Sequence, residues 1–239
     1  ILGLTATPYR RDGLQGIIEM QCGPIRHRIQ AEKDAMAIRL MERPSSFSFS
    51  SADTEQTPIQ EIFTALSKDE SRNTQILDDV CQALSQGRRS LILSQRKEHC
   101  QLLADGLVKH GKAPFLLTGD LGKKERTAMI QAIQDLPPEK ELVIVATGQY
   151  LGEGFDCPQV DTLFLAFPIS FKGKLVQYIG RAMRTHRSKE NVLIYDYVDA
   201  DVPVLKKMFY KRLTTYKSLG VLLADGEHPD DLFTGVRAE

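Results

Sequence analysis

Read for apolar spacing, the chain changes character near residue 73, where short apolar runs begin to alternate with helical periodicity in the manner of stacked βαβ units. Arg72 to Gln86 sets Ile76, Val80 and Leu84 at steps of four, which marks one face of a helix, and Gly87 is placed to stop it. Ser90 to Ser94 (SLILS) reads as a buried strand. The spacing then predicts a helix from Lys97 to His110, with Leu103 and Leu107 inward and Gly111 as its stop, and a strand from Phe115 to Thr118. A further helix from about Lys123 to Gln134 ends before Pro137 and Pro138 and leads into the strand Leu142 to Ala146 (LVIVA). Thr162 to Ala166 (TLFLA), a helix around Leu175 to Met183 and the strand Val192 to Tyr197 complete the series. Five such strands with short, right-handed connections point to an open α/β parallel sheet with helices on both faces.

Upstream the pattern is less regular. Cys22 to Ile29 and Ala37 to Glu42 read as short strands, and Ser45 to Thr57, rich in Ser and closed by Pro58, reads as a linker or loop. Ile1 to Leu4 resembles the last buried strand of a sheet already under way, so the chain is expected to be a fragment. No internal repeat stands out.

Composition narrows the class. With 42% hydrophobic and 26% charged residues over 239 positions, the chain is globular in type, neither disordered nor fibrous. Lys+Arg and Asp+Glu are 31 each, so no overall positive field draws nucleic acid and any such binding must come from a local groove. Cys22, Cys81, Cys100 and Cys157 never form a CxxC pair; they are read as buried thiols, with no zinc, redox or other metal site indicated. Without an apolar run near the ~20 residues of a membrane span, the expectation is a soluble, cytoplasmic protein with no membrane partner.

Three stretches carry chemistry. Gln177 to Arg184 (QYIGRAMR) places Arg181 and Arg184 three residues apart on one helical segment, and such guanidinium forks suit the equatorial oxygens of a transferring phosphoryl group. A solvated helix face is the plain alternative. In Val143 to Pro158 (VIVATGQYLGEGFDCP), Thr147 follows a buried strand at the carboxyl edge of the sheet, where open α/β sheets bind ligands. Gly152 and Gly154 let the backbone approach a ligand, and Asp156 is able to accept from a ribose hydroxyl; a turn with Asp156 as a cap would use the same residues. Leu4 to Pro8 (LTATP) ends a strand with two hydroxyls, Thr5 and Thr7, able to bond across a cleft.

Taken in this order, LTATP, the Thr…Gly-x-Asp element and QxxGRxxR, the chain resembles the C-terminal half of a superfamily 2 helicase (DEAD/DEAH-like), and TPYRRDG (Thr7 to Gly13) brings it nearer the restriction-motor and repair-helicase branch. The resemblance implies a RecA-like lobe of P-loop NTPase type without its own P-loop. It divides the chain into the tail end of a first RecA-like lobe with linker (1–33), a second lobe (34–219) and a polar C-terminal tail (220–239). By matching positions it assigns Gly154 and Asp156 to the nucleotide, Thr147 to a nucleic-acid phosphate, Arg184 as the arginine finger, and Arg181 and Gln177 as its companions. Thr5 and Thr7 would couple the two lobes. Two looser matches, SLILSQRKEHCQLLADGL (Ser90 to Leu107) and LLTGDLGKKER (Leu116 to Arg126), add Ser94, Gln95, Thr118 and Gly119 as contacts to the nucleic-acid backbone, a mode that positions a strand without reading it.

No GxxxxGK[ST] occurs anywhere, and Asp69-Glu70 follows LTATP instead of preceding it, so it reads as a solvated turn, not a magnesium pair. The resemblance therefore implies that ATP and Mg²⁺ are bound mainly through an N-terminal RecA-like lobe of the same polypeptide, that the whole is an ATP-dependent helicase, and that this fragment alone is inactive. DNA is favoured over RNA through the branch resemblance. A non-catalytic nucleic-acid-binding or partner-docking RecA-like domain, and a duplex translocase that does not unwind, stay open beside it.

Overall fold

The apolar runs become seven parallel strands. The structure, a computed structural model, describes residues 15–26, 37–50, 57–148, 157–169, 172–182, 189 and 191–223. In chain order these form α1 (Gln15–Cys22), β1 (Ala37–Pro44), α2 (Ile59–Lys68), α3 (Glu70–Ser85), β2 (Ser90–Ser94), α4 (Lys97–Lys109) and β3 (Phe115–Leu117). There follow α5 (Lys123–Gln134), β4 (Val143–Thr147), β5 (Thr162–Leu165), α6 (Lys172–Ala182), β6 (Asn191–Val198), α7 (Pro203–Ser218) and β7 (Leu222–Leu223). The sheet order is β3-β4-β2-β5-β6-β1-β7.

Alternation along each strand divides the core into two layers. Leu91 and Leu93 of β2, with Ile144 and Ala146 of β4, face α5, α6 and α7, whose Ile133, Leu175, Ile179, Phe209 and Leu213 complete that layer. Ile92, Val143 and Val145 face the other way, onto Ile76 and Val80 of α3 and Leu103 and Leu107 of α4. Because both faces are covered, the central strands are apolar at nearly every position, as the sequence expectation required. Burying one such Leu or Ile contributes about 1.5–3 kcal/mol. A third cluster sits past the carboxyl ends of the strands, where Ile62 and Leu66 of α2 meet Phe47, Phe167, Val202, Leu205 and Met208.

The chain moves one way across the sheet from β2 to β3 and the opposite way from β3 onward. Right-handed crossovers then put α4 on one face and α5, α6 and α7 on the other, as observed. A crevice at the carboxyl ends of β2, β4 and β5 is the consequence of that reversal.

Three expectations change. Among the described residues the sheet has seven strands, not the series of five. The strand read at Ala37 to Glu42 is present as β1, pairs with β6 over its whole length and so joins the sheet, and it recruits Leu222–Leu223, beyond Gly220, where the sequence predicts no strand. The strand expected at Cys22 to Ile29 does not begin there: Cys22 ends α1, the Gly23 amide donates to the Glu19 carbonyl at 2.8 Å, and Gly23 turns the chain at φ 76°. Residues 27–29 lie outside the described residues. Of the four cysteines only Cys100 and Cys157 are buried; Cys22 and Cys81 are partly exposed. Among the described residues no helix is long and apolar enough to cross a membrane.

Candidate functional site

Three polar residues end three adjacent strands in one row. Ser94 of β2 lies opposite Thr147 of β4, and Leu117 of β3 lies opposite Ala146, which sets Thr118 level with Thr147. All three are largely buried, at 2%, 7% and 9% exposure for Ser94, Thr147 and Thr118. Gly119, the next residue after Thr118, is exposed, and Lys97 at the start of α4 forms a solvent-exposed ion pair with Asp120 beside it.

Ser94 is held by the interior. Its hydroxyl bonds to His99 Nδ1 at 2.9 Å and accepts from the Arg96 amide at 3.2 Å, closing the turn that launches α4. His99 Nε2 meets Asn73 Oδ1 at 2.9 Å. Burial, helped by the Arg72 and Arg96 charges, pushes the His99 pKa down to about 3, so the ring is neutral at physiological pH. Gln95, exposed at the strand end, donates to the Pro168 carbonyl at 3.1 Å. Arg96 turns to α2, donating to Thr64 Oγ1 at 3.0 Å and to the carbonyl and side-chain oxygens of Gln60 at 3.0 and 3.1 Å.

The helix of the QxxGRxxR stretch is α6. Leu175, Tyr178 and Ile179 are buried at 1%, 3% and 0% exposure and seat it on the sheet, which leaves Gln177 and Gly180 facing out. Arg181 follows one turn after Gln177 within the helix. Tyr178 Oη donates to the Gly148 carbonyl at 3.0 Å, so this helix is fastened to the residue after Thr147. Thr5, Thr7, Gly154, Asp156 and Arg184 lie outside the described residues, and so do residues 1–14, 149–156 and 183–188 that surround them.

Two buried arginines brace the same edge from opposite faces. Arg72 of α3 donates to Asp199 Oδ1 at 2.8 Å and to the Ala166 carbonyl at 2.7 Å, just past β5, and Asp199 also takes the Ser45 hydroxyl. Arg212 of α7 grips Asp196 with both arms of its fork, at 2.7 and 2.8 Å, while Tyr216 donates to the same carboxylate at 2.6 Å and Arg212 Nη1 reaches the Ile169 carbonyl at 3.4 Å. These braces were not read from the sequence. The signal available for Arg72 is its place at the head of the series Ile76, Val80 and Leu84, a cation on an apolar helix face. Asp69, expected in a solvated turn, caps α3 by accepting from the Arg72 amide at 2.7 Å.

Chemically, the edge offers hydroxyls, the exposed backbone of Gly119 and the Lys97–Asp120 ion pair, with Gln177 exposed on α6, polar groups of the kinds that meet phosphate oxygens.

The helicase conserved C-terminal domain family matches residues 73–188. Transcript termination protein A18 of fowlpox virus is 27% identical over 146 residues, which is 60% of this chain and 31% of that protein. The corresponding cowpox virus protein is 30% identical over 121 residues, 50% of this chain and 24% of that protein. The chain thus spans under a third of the length of these relatives. Among solved structures, S. cerevisiae Dbp5 bound to RNA and ADP BeF3 gives a TM-score of 0.57 at 17% identity, over 90% of this chain and 48% of that one. UvsW of T4 gives 0.56 at 17% identity, over 76% and 39%. At these identities the likeness is one of fold, and the fold is the α/β, RecA-like parallel sheet with helices on both faces.

Proposed function

We propose, from the match of residues 73–188 to the helicase conserved C-terminal domain family, that the chain is the second RecA-like lobe of an ATP-dependent nucleic-acid helicase or translocase of superfamily 2. Its first ~30 residues would close a preceding lobe that holds the triphosphate and Mg²⁺. ATP would lie between the lobes, and Arg184, with Arg181 and Gln177 beside it, would supply the positive wall that neutralises charge on the transferring phosphoryl group. Gly154 and Asp156 would meet the nucleotide, and Thr5 and Thr7 would couple the lobes.

The observation that carries this reading is the match of residues 73–188 to the family together with the exposed seat of Gln177 on α6, one turn before Arg181, on a helix whose other face is buried. Nucleic acid would run along the carboxyl edge past Gly119, Thr118, Thr147 and Gln95, touched through its backbone. Ser94, whose hydroxyl is engaged by His99, would contribute through the turn it holds. DNA is the favoured track, on the resemblance of Thr7 to Gly13 to the restriction-motor branch. The transcript termination proteins fit a motor that works on nucleic acid.

The test is ATP turnover in the polypeptide that includes the first lobe. Arg184→Ala is expected to lower nucleic-acid-stimulated hydrolysis by ~10³-fold or more while ATP binding stays nearly whole. Turnover within threefold of the parent removes Arg184 from that role. The 239-residue chain by itself is expected to hydrolyse no ATP above an Arg184→Ala control.

A further inference from the structure

We propose that Tyr178 is a positioning residue that sets the arginine-bearing helix α6 against the strand end at Thr147, so that occupancy of the nucleic-acid track is felt at Gln177 and Arg181. The inference rests on the proposed function for what passes along the link, while the link itself is a feature of this chain.

Packing alone does not require it. The Tyr178 ring belongs to the buried layer with Leu175, Ile179 and Phe209, a place that Phe would fill as well. The hydroxyl is the added element, and it donates to the Gly148 carbonyl at 3.0 Å from a side chain only 3% exposed. A buried hydroxyl without a partner is costly, so the bond selects this one position for the helix. The other half of the pair is matched to it. A Cβ at residue 148 would stand 2.2 Å from Tyr178 Oη and 3.1 Å from Cζ, so the phenol reaches the carbonyl only because residue 148 is glycine. Burial raises the phenol pKa to about 12, which keeps the donor protonated at any physiological pH.

The placement gives the pair its role. Gly148 directly follows Thr147, which ends β4, and Tyr178 lies between Gln177 and Gly180 on α6. Helix α6 otherwise packs on β5 and α7. The hydrogen bond therefore joins the end of β4, which offers Thr147 to phosphate, to the helix that presents Gln177 and leads to Arg181. A shift of the strand end on binding a nucleic-acid backbone would pull the helix with it.

Tyr178→Phe tests the link in two settings. In the 239-residue chain, amides of α6 are expected to exchange with solvent about five- to tenfold faster than in the parent, with the global melting temperature little changed. In the polypeptide with its first lobe, the half-saturating concentration of a mixed-sequence single strand for ATPase stimulation is expected to rise severalfold, while KM for ATP stays within twofold. Gly148→Ala should be more damaging than Tyr178→Phe, and the double variant should recover part of that loss, because removing the hydroxyl removes the 2.2 Å clash. Unchanged exchange in α6, or unchanged strand dependence in a parent that is stimulated, overturns the inference and leaves the proposed function standing. A parent with no nucleic-acid stimulation at all overturns both.

Discussion

His99 donates from Nε2 to Asn73 Oδ1 across 2.9 Å, and the direction of that bond is set by the asparagine, whose Nδ2 donates to the Ser67 carbonyl at 3.1 Å. The imidazole is thereby fixed as one tautomer, with Nδ1 left to accept the Ser94 hydroxyl. A chain of three bonds thus runs from the end of α2 to the end of β2, and its last link, with Nδ1 as acceptor, requires a neutral ring.

The sign of the resulting pH dependence follows. His99 has a pKa near 6.5 when unfolded and about 3 when folded, so between these values the unfolded chain binds the extra proton. The contribution is present in full above pH 6.5 and is lost as pH falls toward 3. The slope is about 1.4 kcal/mol per pH unit at most. Urea melts at pH 7, 5.5 and 4.5 should show the parent losing stability relative to His99→Gln by roughly 1 kcal/mol per unit. Parallel curves for the two proteins would refute the buried neutral ring.

Asp196 is the second place where a single atom change should be expensive. It sits 1% exposed under the Arg212 fork and the Tyr216 hydroxyl. Asp196→Asn removes the counter-charge and strands a buried guanidinium, a situation that costs about 3–5 kcal/mol. The melting temperature should fall by roughly 6–20 °C. Adding Arg212→Met to that variant should restore part of the loss, since the stranded charge leaves with it. Additive losses in the double variant would mean that the two groups do not act as a pair.

The extent to which the sequence foretold this molecule follows from how local each feature is. Strands β2, β4 and β5 are legible because a strand buried on both faces is apolar along its middle, with Ser or Thr only at the ends, and Gly87 and Gly111 mark helix ends with φ 77° and 72°. Helices α2 and α7 carry readable spacing, Ile59, Ile62, Phe63 and Leu66 in one and Leu205, Met208, Phe209, Leu213 and Tyr216 in the other, yet neither element was assigned. In α7 the apolar face is interrupted by Arg212, which belongs there only because Asp196 lies opposite. Strand β7 is two residues long and exists because β1 offers an edge. The QYIGRAMR stretch was visible because its residues are neighbours in sequence, whereas Arg72 and Asp199 are 127 positions apart and only folding makes them a pair.

Gly106 provides a test of packing between α3 and α4. Its position inside α4 costs helix propensity, about 1 kcal/mol relative to Ala, but a Cβ there would stand 2.6 Å from Leu77 Cδ1 and 3.1 Å from Cδ2. In the parent, Gly106→Ala should be near neutral or mildly destabilising as the two effects oppose each other. With Leu77→Ala already in place the clash is gone, and the same substitution should stabilise by up to ~1 kcal/mol in denaturant melts. A loss of equal size in both backgrounds would show that Leu77 is not what the glycine makes room for.

The proposed nucleic-acid track has an electrostatic signature that the chain's own charge makes sharp. With Lys+Arg and Asp+Glu equal at 31, attraction must come from the few groups at the carboxyl edge and not from a general field. About three phosphates neutralised on a single strand give a slope near −2 in log K against log salt. Affinity should therefore fall by about ten- to twentyfold between 50 and 200 mM salt. On the proposed track Thr118, Thr147 and Gln95, which stand at the ends of adjacent strands, would meet only backbone oxygens, so a purine-rich and a pyrimidine-rich strand of equal length should bind within a fewfold of each other. Fluorescence anisotropy with both strands at the two salt concentrations measures all of this at once. Binding that is tight, selective between the strands and indifferent to salt would place the contact on base edges, and the track along this edge would have to be abandoned.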